Sequence, residues 1–326
     1  MSNIYSSIRG DGELNLGDYE AKVTRVIRDH VGGGQVLLGL SGGVDSSVCA
    51  ALLAKVVPGR LHCIFVDHGL MRKDEGREVE AAFRGRELNL VCVDAEDRFL
   101  AKLSGVTDPE RKRMIIGEEF IRVFEEEARK LEGVEFLAQG TIYPDVAESG
   151  TKGKVAVKSH HNVGGLPDDI DFKGIVEPLY GLYKPDVRAL GRSLGLPAPL
   201  TERQPFPGPG LAVRCLGEVT KVKLDILREA DAILCREVEA SDVQADQYFA
   251  ALSDSRSVGI VGGKRAYGYT IALRAVSTVD FVTAKYVPLP HELLGRVSGM
   301  ITNAVPEVTR VLYDVTNKPP GTIEWE

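Results

Sequence analysis

The sequence predicts an α/β protein: a parallel sheet covered by helices, followed by a smaller α+β module. Three observations carry this reading. Short apolar segments alternate with longer helix-like ones through the first half of the chain. Those short segments are apolar throughout rather than at every second residue. A rigid Pro205-Phe-Pro-Gly-Pro-Gly210 then separates this half from a stretch with a different order of elements. Strands that are apolar on both faces belong to parallel sheets with helices on either side.

The elements follow in order. Gln35-Val-Leu-Leu-Gly-Leu40 is a strand that ends at a glycine turn, and Val44, Val48, Leu52 and Val56 recur every four residues behind it, which predicts a helix. Leu61–Val66 is a second strand, Asp74–Leu88 a polar helix, Leu90–Val93 a third strand and Phe136–Gln139 a fourth. Ile116, Phe120, Phe124, Ala128 and Leu131 form one stripe of a long helix between the last two. From Gly140 to Pro178 the pattern gives way to Gly, Asp, Lys and His, too long for an ordinary connection and so either a lid or disordered. Lys184–Gly195 is a helix with a glycine stop. Beyond the proline-rich segment come a helix over Val219–Val238, strands at Gln247–Leu252 and Val258–Val276, a helix over Pro290–Val305, and strands at Val308–Val315 and Thr322–Trp325. The expected division is an N-terminal extension over 1–18, a first domain over 19–212 and a second over 213–326.

Composition limits the function. With 40 Lys and Arg against 47 Asp and Glu the formal charge is −7, and 44% hydrophobic with 27% charged residues suffices for packed cores. An acidic chain without basic runs is unsuited to wrapping nucleic acid, whose grip depends on Lys and Arg at phosphates. No apolar run approaches the roughly 20 residues of a membrane span, and the first residues do not read as a secretory signal, so the expected address is cytoplasmic. Cys49, Cys63, Cys92, Cys215 and Cys235 form no Cys-x-x-Cys pair. That suits neither a zinc cage nor a disulfide framework, and the first three, in apolar segments, read as buried.

The sharpest signal is Ser41-Gly-Gly-Val-Asp-Ser-Ser47 between a strand and a helix. Adjacent glycines let backbone N–H groups crowd round an anion, serines add donors, and the helix N-terminus adds positive potential. The Lys of the common phosphate loop is missing. Asp45 instead offers a carboxylate for Mg²⁺ between phosphate oxygens.

Ser41-Gly-Gly-Val-Asp-Ser46 resembles the PP-loop of the N-type ATP pyrophosphatases, whose fold is of the adenine nucleotide alpha hydrolase kind. Six further segments resemble the synthetase part of the GMP synthase family: Phe65–Lys73, Lys112–Gly117, Ala138–Ser149, Lys158–Pro167, Pro205–Leu211 and Lys318–Glu326. The resemblance implies ATP- and Mg²⁺-dependent adenylation of XMP at O2, then amination by ammonia to GMP, with AMP and pyrophosphate released. It implies that Ser41, Gly42, Gly43, Val44, Asp45, Ser46 and Ser47 hold ATP phosphates, with Asp45 also meeting Mg²⁺ and Val66 near the adenine. Arg113, Lys318, Ile323 and Glu324 match positions implied to bind XMP. Asp145, Glu148, Lys158, His160, His161 and Asn162 match lid residues, the first five implied to act in catalysis, with Lys158 set against charge at phosphorus. No third ligand at suitable spacing makes the His160-His161 pair a zinc site.

The resemblance also implies a homodimer formed through the second domain. Relatives commonly carry a glutamine amidotransferase domain before the synthetase, and no Cys here stands in a glutaminase elbow, so ammonia is expected free or from a separate glutamine amidotransferase subunit. Arg274 is assigned to the partner subunit's site or to the interface, and Gln204 stands where some relatives have His. The competing acceptors for PP-loop chemistry are a carboxylate or a tRNA base. A nucleotide-binding regulator without catalysis would not need a lid and a metal carboxylate.

Overall fold

The computed structural model describes residues 4–9, 14–145, 172–279 and 281–326, and the chain divides into two compact units. The first comprises residues 1–67, 75–95 and 117–203; the second takes 68–74, 96–116 and 204–326. Each unit is therefore discontinuous in sequence.

In the first unit, β1 (Gln35–Leu40), β2 (Leu61–Asp67), β3 (Asn89–Asp94), β4 (Val134–Ala138) and β5 (Gly174–Val176) form one sheet in the order β3-β2-β1-β4-β5. All four pairings are parallel. The apolar runs Val36-Leu-Leu38 and Cys63–Val66 are buried, as expected of central strands. β3 is an edge strand, and its burial alternates. That geometry corrects one expectation: Cys92 is exposed on this edge, while Cys49 and Cys63 are buried.

α1 (Leu16–Val31) buries Tyr19, Val23, Ile27 and Val31 on one face and is capped by the Asn15 side chain accepting from the Asp18 N–H. α2 (Val44–Val56) is buried nearly all round, from Val44 to Val56, and packs on β1, β2 and α6 (Lys184–Ser193). Between them in the chain lie α3 (Glu75–Phe83), α4 (Glu96–Leu103) and the long α5 (Pro109–Ala128). Strand order reverses direction between β1 and β4, and in such sheets ligands bind beyond the carboxyl ends of the strands at that point.

In the second unit, β6 (Gln247–Val261) and β7 (Lys264–Ser277) form one long antiparallel hairpin, with β8 (Lys285–Tyr286) antiparallel and β9 (Val308–Tyr313) parallel to β7. The single strand expected over Val258–Val276 is thus broken by Gly262 and Gly263, both at positive φ (59° and 78°), which only glycine adopts freely in succession. α7 (Lys221–Glu239) packs on β6 and on α8 (His291–Ala304), and α8 on β9. Phe249, Ala251, Val276, Ala284 and Ile323 form a buried cluster with Trp325 against it. Thr322–Trp325, expected as a strand, is irregular; buried cations hold it rather than a ladder of backbone bonds.

Candidate active site

β1 hands the chain to α2 through Ser41-Gly42-Gly43. Gly42 lies at φ 77°, and Gly43 is the N-cap residue of α2, with no side-chain cap among the described residues. The first amides of α2 are therefore left for an outside acceptor. The Ser41 and Ser46 hydroxyls are hydrogen-bonded at 3.0 Å, and Ser46 also donates to the Gly43 carbonyl at 3.2 Å. The Ser47 side chain is wholly buried, its N–H is spent on the Gly43 carbonyl at 3.1 Å, and its hydroxyl has no partner among the described residues. Gly42 and Val44 are buried too and contribute through the backbone.

Two further elements frame the loop. Gly140 follows β4, and a Cβ there would lie 3.3 Å from the Asp45 carbonyl carbon and 3.4 Å from the Ser46 nitrogen, so a side chain would press on the loop. Val66 stands one residue beyond Phe65, the register partner of Leu40, which sets it level with Ser41 on the neighbouring strand. Its side chain is buried. Asp145 accepts the Ile142 N–H at 3.1 Å, which fixes the turn after β4. Glu148, Lys158, His160, His161 and Asn162 lie outside the described residues.

Lys184, a residue the spacing of motifs does not reveal, reaches this loop from the first position of α6. Its ammonium donates to both carboxylate oxygens of Asp45, at 2.9 and 2.8 Å. A cavity of about 420 Å³ opens beside it, lined by Lys184, Pro185, Arg188 and Arg192. The resulting ensemble of open amides, hydroxyls and cations suits a polyphosphate. Among the described residues no group of three or more His, Cys, Asp or Glu is placed to hold a metal alone. The one carboxylate at this loop, Asp45, nevertheless fits Mg²⁺, which keeps waters and takes phosphate oxygens with one or two carboxylates.

The second unit holds a cavity of about 580 Å³ lined by Pro109, Glu110, Arg113, Lys318, Thr322, Ile323, Glu324, Trp325 and Glu326. Arg113, Lys318, Ile323 and Glu324, 205 or more positions apart from first to second, are brought to one concavity. Arg113 comes from the first turns of α5, where it pairs with Glu110. The Lys318 ammonium donates to the Phe281 carbonyl at 2.6 Å. The Ile323 side chain is anchored in the core cluster, so the backbone around it forms the wall.

Three buried cations set the wall's shape. Arg214 donates to both Glu324 oxygens, at 2.9 and 2.8 Å, with Phe249 under its guanidinium at 4.0 Å. Lys112 donates to the carbonyls of Ala212 and Cys215, at 3.3 and 2.8 Å, and to the Glu326 carboxylate. Arg274, assigned from sequence to the interface or a partner's site, is fully buried within its own chain instead. It donates to the carbonyls of Thr316, Thr322 and Ile323 at 2.7–2.9 Å and to Asp314 at 2.8 Å, which clasps the terminal segment. Gln204 also has a structural task, accepting the Tyr248 N–H at 2.8 Å.

Residues 235–325 match the family model of the GMP synthase C terminal domain, and residues 19–111 match that of NAD synthase. The chain is 58% identical over 325 residues to a GMP synthase [glutamine-hydrolyzing] of Treponema denticola, an alignment covering 99% of this chain and 62% of that one. It is 56% identical to the protein of the same name from Finegoldia magna, covering 99% and 64%. The chain thus spans somewhat under two thirds of the length of these relatives. Among solved structures, an NAD+ synthetase from Burkholderia pseudomallei overlaps 62% of this chain and 76% of its own, with a TM-score of 0.45 at 18% identity.

Proposed function

We propose that this chain belongs to the GMP synthase family and makes GMP from XMP, ATP and ammonia. The xanthine O2 attacks the α-phosphorus of ATP, the new P–O bond forms as the bond to the bridging oxygen breaks, and pyrophosphate leaves. Ammonia then adds at C2, loses a proton and displaces AMP. An amide-like oxygen leaves poorly until it is esterified, and this is the reason for consuming ATP.

In this reading the leaving pyrophosphate is received by the amides at the start of α2, the Ser41 and Ser46 hydroxyls and Lys184, which offset its charge as it develops. Asp45 would hold Mg²⁺, whose contribution when bound is to neutralise phosphate oxygens. Arg113 and Lys318 supply cations for the phosphate of XMP, and Glu324, fixed by Arg214, supplies an acceptor for its hydroxyl or ring N–H groups. Asp145, Glu148, Lys158, His160 and His161 are assigned to the lid, with Lys158 countering charge at phosphorus. Val66 lies by the adenine through its backbone.

The observation that carries the proposal is the single concavity shared by Arg113, Lys318, Ile323 and Glu324. Ammonia is the nitrogen donor in this reading. The chain works as a homodimer; the exposed Val258, Ile260 and Tyr267 on the far end of the β6–β7 hairpin offer an apolar surface for that contact. A cytoplasmic setting suits these substrates, and among the described residues no helix is long and apolar enough to cross a membrane.

The test is an omission assay with ATP, Mg²⁺, XMP and an ammonium salt, following AMP, pyrophosphate and GMP. The expected result is AMP release only with XMP, GMP only with ammonium, and none with glutamine in its place. AMP release that ignores XMP but responds to a carboxylate acceptor would instead favour chemistry of the NAD synthase kind.

A further inference from the structure

One buried cation of the first unit serves no purpose described so far. Arg203 lies between the proline-rich segment and the single turn Ala198–Thr201, with its side chain 11% exposed. One of its terminal nitrogens donates to the Gly42 carbonyl at 2.7 Å and also to the Glu75 carboxylate in the first turn of α3. Its other terminal nitrogen lies 3.7 Å from Glu78. Glu75 is 5% exposed, so the pair is largely removed from water.

A trans peptide is planar, and its C=O and N–H point in opposite directions. A cation that holds the Gly42 oxygen on the inner side therefore turns the Gly43 N–H outward, where it donates to the exposed Ser41 hydroxyl at 3.4 Å. Something must impose this orientation. With glycine on both sides, Gly42 and Gly43 reach positive and negative φ at similar cost, so the plane between them can rotate to present an oxygen where an anion should sit. Glu75 and Glu78 fix the guanidinium, and the guanidinium fixes the peptide.

We infer that Arg203 is a positioning residue for anion recognition: by holding the Gly42 carbonyl it keeps the Gly43 N–H aimed at the pyrophosphate part of the nucleotide. The inference rests on the phosphate-binding reading of the loop given above. Arg203 touches no substrate. Its effect passes through one peptide plane, and a guanidinium at the carbonyl also polarises that peptide and strengthens its N–H as a donor.

Inorganic pyrophosphate with Mg²⁺ is the probe, titrated calorimetrically into the full chain and into Arg203→Met, Arg203→Lys and Glu75→Gln. The Gly43 amide is followed by NMR and the fold by thermal melting. Wild type should bind, with the Gly43 amide proton moving downfield. Arg203→Met should bind about ten- to hundredfold more weakly, the usual worth of a hydrogen bond to a charged group. Arg203→Lys should recover part of that loss and Glu75→Gln should fall between. The XMP KM should stay unchanged throughout. A purely structural arginine would lower the melting temperature and the active fraction while leaving pyrophosphate affinity and the Gly43 shift of the folded molecules as in wild type; that result overturns the assignment. Should Arg203→Met not fold, Arg203→Lys decides alone, since wild-type affinity and a wild-type Gly43 shift in it overturn the assignment equally. Failure of the wild-type chain to bind pyrophosphate overturns the phosphate-loop reading and this inference with it.

Discussion

Arg214 and Glu324, 110 positions apart, meet through two hydrogen bonds of 2.9 and 2.8 Å, with the guanidinium stacked over Phe249 and the carboxylate at the edge of a cavity. The arginine is fully buried and the glutamate side chain 20% exposed. Removing one partner of such a pair strands the other charge. Arg214→Met should therefore cost about 3 kcal/mol in urea unfolding, at the lower end of the range for broken buried pairs. It should also raise the XMP KM more than the ATP KM. Equal rises in both would detach Glu324 from XMP.

Asp45 and Lys184 are a more exposed pair, with side chains 30% and 41% accessible, so their mutual contribution to stability is below about 1 kcal/mol. Asp45→Asn should melt close to wild type while AMP release falls at least about a hundredfold, the scale set by losing several kcal/mol of charge stabilisation. Full turnover in this variant would remove the Mg²⁺ assignment.

Thiol accessibility should separate the five cysteines. Burial pushes the Cys63 thiol up to about 12, Cys215 to about 11, and Cys49 and Cys235 well above their ordinary value. Cys92 is also raised, by burial first and then by Glu80 and Asp67, yet it is exposed. A disulfide-exchange reagent should titrate one thiol quickly in the native chain, faster as pH rises through the alkaline range, and all five in denaturant. Cys92→Ser should abolish the fast phase; a fast phase that persists would show that the β3 edge is covered.

Acid should release the terminal clasp late. Burial disfavours the Asp314 carboxylate, but the hydroxyl and amide of Thr316, then Arg274, and the Trp325 indole more than offset it, and the group titrates below its ordinary 3.8. A depressed value stabilises the folded chain fully above 3.8 and ceases to do so as pH falls through the lower value. Trp325, the one tryptophan, donates to Asp314 at 3.0 Å and reports the event by its fluorescence. The emission should hold down to about pH 4 and shift only below it. A shift near pH 6 would place control with another group.

The parallel sheet was legible because its signal is local: Gln35–Leu40 and Leu61–Val66 carry their apolar runs whole, and Ser41–Ser47 announces a strand-to-helix turn. Residues whose meaning depends on distant partners were not. Arg274 reads as a surface or interface arginine until three carbonyls from positions 316–323 close on it. Lys184 carries no mark in sequence that it will meet Asp45, 139 positions earlier. The buried face of α5 includes Lys112 and Glu119, which a search for apolar spacing passes over, while Phe120 of the apolar stripe is only half-buried. Thr322–Trp325 looked like a strand because β-branched and aromatic residues pack well in any buried segment, whatever backbone it adopts.

The grip of Lys112 on Glu326 also sets a schedule for biosynthesis. The lysine is fully buried, and its charged partner is translated 214 positions later. At about 5–20 residues per second the wait is roughly 10–40 s. Through that interval the nascent second unit holds an ammonium with no counter-charge, and its burial must await the arrival of the tail. Strand pairing in the first unit, complete once residue 176 is available, has no such dependence on the tail. The two halves of one polypeptide are therefore expected to mature in sequence, and a stalled or shortened message would leave the sheet of the first formed beside an unfinished second.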